Sequence, residues 1–199
     1  IEGIGDKHVP WIHNVKNTDL VMAVDDDATV NLIRLFNEPV WRDYLREQGV
    51  SGPFVEMLGL MGISSVANVL AAIKTAKWFE LTSRDVLVTV WTDSMDLYDS
   101  RLRELREAHG EYTSLEAAAD YERYLLGEDI DHMMELSYRD RKRVHNLKYY
   151  TWVEQQGKTY KEIQAQWYED DYWTNFQQQI DTMDALIEDF NARVGLLVE

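Results

Sequence analysis

Val86-Leu87-Val88-Thr89-Val90-Trp91 is six residues without a charge and without apolar/polar alternation. A β-branched, apolar segment of that length reads as a strand covered on both faces, which places it inside a mostly parallel sheet flanked by helices. The stretch before it reads as a helix. Gly62-Ile63-Ser64-Ser65 puts two hydroxyl caps ahead of Val66, Val69, Leu70, Ile73 and Ala76, which recur on one helical face up to Lys77. Helix, polar turn (Thr82-Ser83-Arg84-Asp85) and buried strand form the sequence of an α/β parallel sheet.

The same order is read earlier in the chain. Leu20-Val21-Met22-Ala23-Val24 is of strand length, and Asp25-Asp26-Asp27 offers helix caps before Val30, Ile33 and Leu35 or Phe36 at helical spacing. Pro39 interrupts that helix, Trp41 to Gln48 reads as another closed by Gly49, and Ser51-Gly52-Pro53 is a turn before Phe54 to Met61. From Ser100 onward the pattern is helical only: around Leu102 and Leu105, then 115–126, 129–156, and 159–197 with a break inside. Nine of the eleven tyrosines follow residue 110, so these helices are expected to pack over a larger body or across a dimer interface. The expected organisation is an α/β part at 1–105 and an all-helical extension at 106–199.

A formal charge of −16 repels phosphate backbones and anionic lipid surfaces, which argues against nucleic acid and membrane partners. The chain has no cysteine, so no disulfide, thiolate metal site or cysteine nucleophile can be built from it. No run of 18 or more apolar residues occurs, and residues 1–10 lack the charged start and apolar stretch of a secretory signal. A soluble, cytoplasmic protein is expected. The sequence opens inside a glycine-punctuated loop, Ile1-Glu2-Gly3-Ile4-Gly5-Asp6, of the kind that follows a strand, and an upstream part is expected.

Three segments in order carry a family resemblance. Ile1-Glu2-Gly3-Ile4-Gly5 followed by Val9-Pro10 looks like a glycine loop that borders a cofactor, where two glycines permit close backbone approach. Gly62-Ile63-Ser64-Ser65, leading into Ala71-Ala72-Ile73-Lys74-Thr75-Ala76-Lys77, resembles a "G-I-S-S-G" turn with its alanine-rich helix, with Val66 in place of the usual glycine. Val86 to Val90 and then Thr92-Asp93-Ser94 resembles a last core strand ending in "P-D-S", with Thr92 where proline is common and Tyr98 at the place of a following tyrosine. Together they resemble the C-terminal half of the pyridoxal-phosphate enzymes of the cysteine synthase and cystathionine β-synthase family. The likeness covers residues 1–105, with Phe36 to Leu60 as an insertion relative to compact members.

The resemblance implies a tryptophan synthase β-like (fold type II) parallel-sheet domain and β-elimination or β-replacement on a serine-like amino acid. It implies pyridoxal 5'-phosphate as cofactor, with Ser94, Asp93 and Gly3 beside it and Gly5 and Asp6 beside the substrate. In this family a serine hydroxyl, rather than an aspartate, meets the pyridine nitrogen and moderates the electron sink. The Schiff-base lysine and the phosphate loop lie upstream of the glycine loop in the family, and none of Lys7, Lys16, Lys74, Lys77, Lys142, Lys148, Lys158 and Lys161 stands in that context. The chain is therefore expected to act with an N-terminal half, as a homodimer. A non-catalytic helical interaction subunit is the rival reading.

Without the resemblance, Ser94 reads as a strand-end turn residue. His8 and His13 read as loop histidines, since their spacing suits no common metal motif. The run Arg139-Asp140-Arg141-Lys142-Arg143 with His145 reads as a solvated helix face. Tyr149, Tyr150, Trp152, Trp167, Tyr168, Tyr172 and Trp173 imitate a base-stacking platform, but Glu169, Asp170 and Asp171 beside them oppose it.

Overall fold

The computed structural model describes residues 8–196, which form two compact units, Leu20–Met134 and residues 8–19 with 135–196. The division read from the sequence at 105/106 falls inside the first unit. Gly3, Gly5 and Asp6 lie outside the described residues.

The first unit opens with β1 (Leu20–Met22) and α1 (Asp26–Asn37). Asp25 caps α1 as its sequence indicates, its carboxylate accepting the Asp27 N–H at 2.9 Å, while Asp26 and Asp27 meet the positive end of the helix dipole. α2 (Pro39–Glu47) starts on proline, whose missing N–H costs nothing in a first turn, and Gly49 takes the left-handed conformation that ends it. α3 (Gly52–Leu58), α4 (Ile63–Trp78), α5 (Asp99–His109) and α6 (Ser114–Asp120) follow, the last continuing as a π-helical turn over Tyr121–Leu126. α1 is central, with α2, α4, α5 and α6 against it. Its face of Leu32, Ile33, Leu35 and Phe36 is fully buried with Trp41, Val66 and Leu70. At the edge of this core the buried Glu38 accepts two bonds from the exposed Arg106 at 2.9 and 3.0 Å, and the buried Arg34 lies over the Tyr112 ring and donates to the Gly110 carbonyl. Two-pronged guanidinium pairing of this kind satisfies the buried carboxylate.

The unit is helical. Its sheet among the described residues is one antiparallel pair, β1 with β2 (Met133–Glu135), and β2 lies in a region whose sequence showed only helical pattern. The parallel sheet expected around Val86–Trp91 is not formed. That run is not a strand, and Val86 and Val88 are 84% and 86% exposed rather than covered. Among the described residues it has no neighbouring strand: none forms a backbone–backbone hydrogen bond with Val86–Trp91, and the Asn68 side chain donating to the Val90 carbonyl is the one tie they provide.

The second unit contains α7 (Tyr138–Asn146), a π-helical turn (Tyr149–Val153), α8 (Tyr160–Tyr168), α9 (Tyr172–Gln177) and α10 (Ile180–Val194). Reciprocal capping boxes, Ser137 with Asp140 and Thr159 with Glu162, start α7 and α8. The aromatic residues pack on one another and on the entry segment: Trp11 meets Trp152 at 5.6 Å, and the Trp152 indole donates to the Val9 carbonyl. Fully buried Lys148 donates to the carbonyls of Trp11 and His13 and to the Gln166 side-chain oxygen, at 2.9, 2.8 and 2.7 Å. All three ammonium protons are thus used. With no carboxylate among these partners, burial pushes the ammonium down to about 8.

The basic run of α7 is only partly a solvated face. Arg139 and Arg143 are exposed, but Lys142 lies 4.8 and 4.5 Å from the ring centres of Trp167 and Tyr168, and His145 is buried. The His145 ring nitrogen Nε2 bonds the Ile163 carbonyl at 2.9 Å, which for a neutral ring makes it the donor. Burial, with Lys148, Lys142 and Lys16 nearby, lowers its pKa to about 4 despite that bond. Unfolding lets the ring take a proton below its ordinary value of 6.5, so this unit loses stability as pH falls from about 6.5 to 4. Urea unfolding followed across that window is expected to show a slope approaching ~1.4 kcal/mol per pH unit. In His145→Gln the slope is expected to flatten; an unchanged slope would assign it to other groups.

Candidate functional site

Of the described residues carrying the family resemblance, Asp93, Ser94, Ser64, Ser65 and Tyr98 meet at one place, the N-terminus of α4. Helix ends leave unpaired N–H groups, and α4 has Gly62 as its N-cap with no side chain to offer. Asp93 supplies the acceptor from a distant part of the chain: its carboxylate takes the N–H groups of Ser64 and Ser65 at 3.0 and 2.8 Å. The Ser65 hydroxyl donates to the same carboxylate at 2.7 Å and the Tyr98 hydroxyl at 2.8 Å. The two serines are therefore donors to a cap, whereas the sequence reading made them the caps.

Four donors fill the acceptor positions of one carboxylate. Burial raises the Asp93 pKa, but the bonds from the Ser65 hydroxyl, the Ser64 amide, the Tyr98 hydroxyl and the Ser65 amide outweigh it and hold the group below its ordinary value. Asp93 is an ionised positioning group and has no free lone pair for proton transfer. The fit is close: a Cβ on Gly62 would lie 2.5 Å from Asp93 Cγ and 2.8 Å from Tyr98 Cε2, so only glycine allows the approach.

Ser94 follows at the end of the Val86–Trp91 run. Its backbone is held on both sides, by Gly62 N–H to the Asp93 carbonyl at 3.2 Å and Met95 N–H to the Leu60 carbonyl at 3.1 Å, as an antiparallel bridge between Met61 and Ser94. Its hydroxyl accepts from Asp96 N–H at 3.3 Å and donates to the Asp96 carboxylate at 3.1 Å. Ser64 and Tyr98 form part of the wall of a cleft of about 910 Å³, with Asp26, Asp27, Asn31, Arg101 and His109 as its other polar side chains. That volume suits a small-molecule ligand.

Lys74, in the alanine-rich helix, is buried and paired with Glu128 at 3.4 Å and Asp129 at 3.2 Å. Among the described residues no group of three or more His, Cys, Asp or Glu side chains has the arrangement of a metal site. His13 bonds the Thr18 hydroxyl at 2.8 Å as a loop residue. No helix of the described residues is long and apolar enough to cross a membrane. Comparison with protein-family models, curated proteins and solved structures finds no match.

Asp93→Ala is expected to lower the unfolding free energy by about 2–3 kcal/mol, because it removes a helix cap and leaves two amides and two hydroxyls short of an acceptor. Since the Asp93 pKa is depressed on folding, its contribution is present above the ordinary value of 3.8 and is lost as pH falls through the folded value. Denaturant titrations at neutral and acid pH should therefore show the two proteins converging in acid. A constant gap would assign the loss to packing alone.

Proposed function

We propose that this chain is the C-terminal part of a pyridoxal-phosphate-dependent enzyme of the cysteine synthase and cystathionine β-synthase family. It would act on a serine-like amino acid by β-elimination or β-replacement, in the cytoplasm and as a homodimer. The observation that carries the reading is Val86–Trp91: a β-branched run whose backbone pairs with no other backbone among the described residues, with Val86, Val88 and Val90 exposed on one face and Leu87 and Trp91 on the other. Such a segment has the requirements of an interior strand of a parallel sheet, and helices on both sides would cover it. A fold type II sheet would supply those neighbours from an N-terminal half that also brings the Schiff-base lysine and the phosphate loop.

When bound, pyridoxal phosphate supplies the electron sink for loss of the substituent at the β carbon. Ser94 fits the position of partner to the ring nitrogen. Its hydroxyl proton is engaged with Asp96 in one exposed bond that rotation can release, while the backbone bonds beside it hold the serine in place. A ligand beyond the C-terminal end of such a strand is the usual arrangement in α/β sheets. Asp93 would act on the site through α4 and Tyr98. The exposed apolar face of α10 favours the second reading, a non-catalytic helical interaction subunit.

The natural full-length protein is expected to carry a yellow chromophore that borohydride reduces irreversibly. Ser94→Ala is expected to change its absorption and lower turnover by roughly 10- to 100-fold, the scale of losing one positioned hydrogen bond of about 1.5–3 kcal/mol. A colourless protein, with every copurifying partner present, would leave the interaction subunit as the account.

A further inference from the structure

α10 is a helix whose apolar side is left exposed by the described residues. None of its residues is buried, and Ile180, Met183, Ile187, Phe190 and Val194 are each between 51% and 59% exposed. Their spacing alternates three and four residues, the repeat that keeps a stripe facing a partner helix along a coiled coil. Asp181, Glu188 and Asp189 fall away from the stripe, so the acidic excess of the helix stays in water. A helix of 15 residues is at the lower limit of what holds together in water without packing.

The two sets within the stripe differ. Ile180, Ile187 and Val194, which share one heptad position, are all β-branched, and Met183 and Phe190 occupy the other. β-Branched residues throughout the first position favour two parallel strands. In that arrangement Gln179 of one copy flanks Asp184 of the other and Leu186 flanks Asn191, with no like charges opposed. The fully overlapped antiparallel alternative would set Asp184 against its own copy near the twofold axis, which costs stability. Burying the exposed half of five large side chains on each of two helices, with Leu186 at the flank, removes on the order of 1,000 Å² of surface, the threshold for a specific interface. We propose that α10 is the parallel two-stranded seam through which this chain joins a second copy of itself. The inference rests on α10 alone and stands or falls independently of the cofactor.

The test uses the absence of native cysteine. The 199-residue chain is expected to sediment as a dimer at micromolar concentration, and Ile187→Asp to raise the apparent Kd by at least about tenfold. Ala185→Asp, outside the stripe, should leave the dimer intact and serve as the folding control by circular dichroism. In air, Ile187→Cys is expected to give a covalent dimer and Ala185→Cys to stay reduced, because in-register parallel pairing brings position 187 against itself. A monomeric chain, a dimer indifferent to Ile187→Asp, or cross-linking at 185 as readily as at 187 would overturn the proposal. If the natural full-length protein is colourless but this dimer forms, the seam survives and the enzyme reading does not.

Discussion

Every backbone N–H and C=O must be hydrogen-bonded to protein or to water, and among the described residues the backbone of Val86–Trp91 meets only the Asn68 side chain, at the Val90 carbonyl. Solvated backbone is no anomaly in a polar loop. Here it accompanies the side chains least suited to water: alternate valines exposed on one side, and Leu87 and Trp91 exposed on the other. A chain with ample core elsewhere gains nothing from leaving such a run uncovered, since each buried aliphatic side chain is worth about 1.5–3 kcal/mol. The constraint is met at once if strands from an N-terminal half lie on its two edges. The run is then the element around which the rest of the proposed site is arranged.

That arrangement depends on what ties the run to the helical body. At its end Asp93 is fixed to the N-terminus of α4 by four donors, and Ser94 is fixed by the bridge to Met61. Met61, Val66 and Leu70 are themselves part of the buried core built on α1. The register of the run is therefore set by core packing through Gly62, whose missing Cβ leaves room for the Asp93 carboxylate. A neighbouring strand would meet a segment already held at its C-terminal end, which lowers the entropy cost of pairing.

Local signals in the sequence were reliable where cause and effect are close along the chain. Asp25 before α1, Pro39 after it, Gly49 after α2 and the apolar spacing of α4 each act within one or two turns, and the helices form near where these signals place them, α2 starting at Pro39 rather than at Trp41. The signals that failed depend on distant residues. Nothing near Gly62 shows that an aspartate about 30 positions later caps α4. His145 reads as part of a solvated helix face, yet the Ile163 carbonyl satisfies it in the interior, and Lys148, which carries no local signal, is satisfied there by the carbonyls of Trp11 and His13 and the Gln166 side chain. β2 is a three-residue strand, too short to show a period. Val86–Trp91 is the opposite case: its composition specifies a covered strand, and among the described residues no backbone pairs with it.

Hydrogen exchange at the amides of Val86 to Trp91 tests that central claim most directly. In the isolated 199-residue chain they should exchange at the rate of solvated backbone, while the amides of α4 are protected. In the natural full-length protein the account requires the same amides to become protected to a level near that of α4. If they stay unprotected there, the run is a surface segment and does not belong to a sheet.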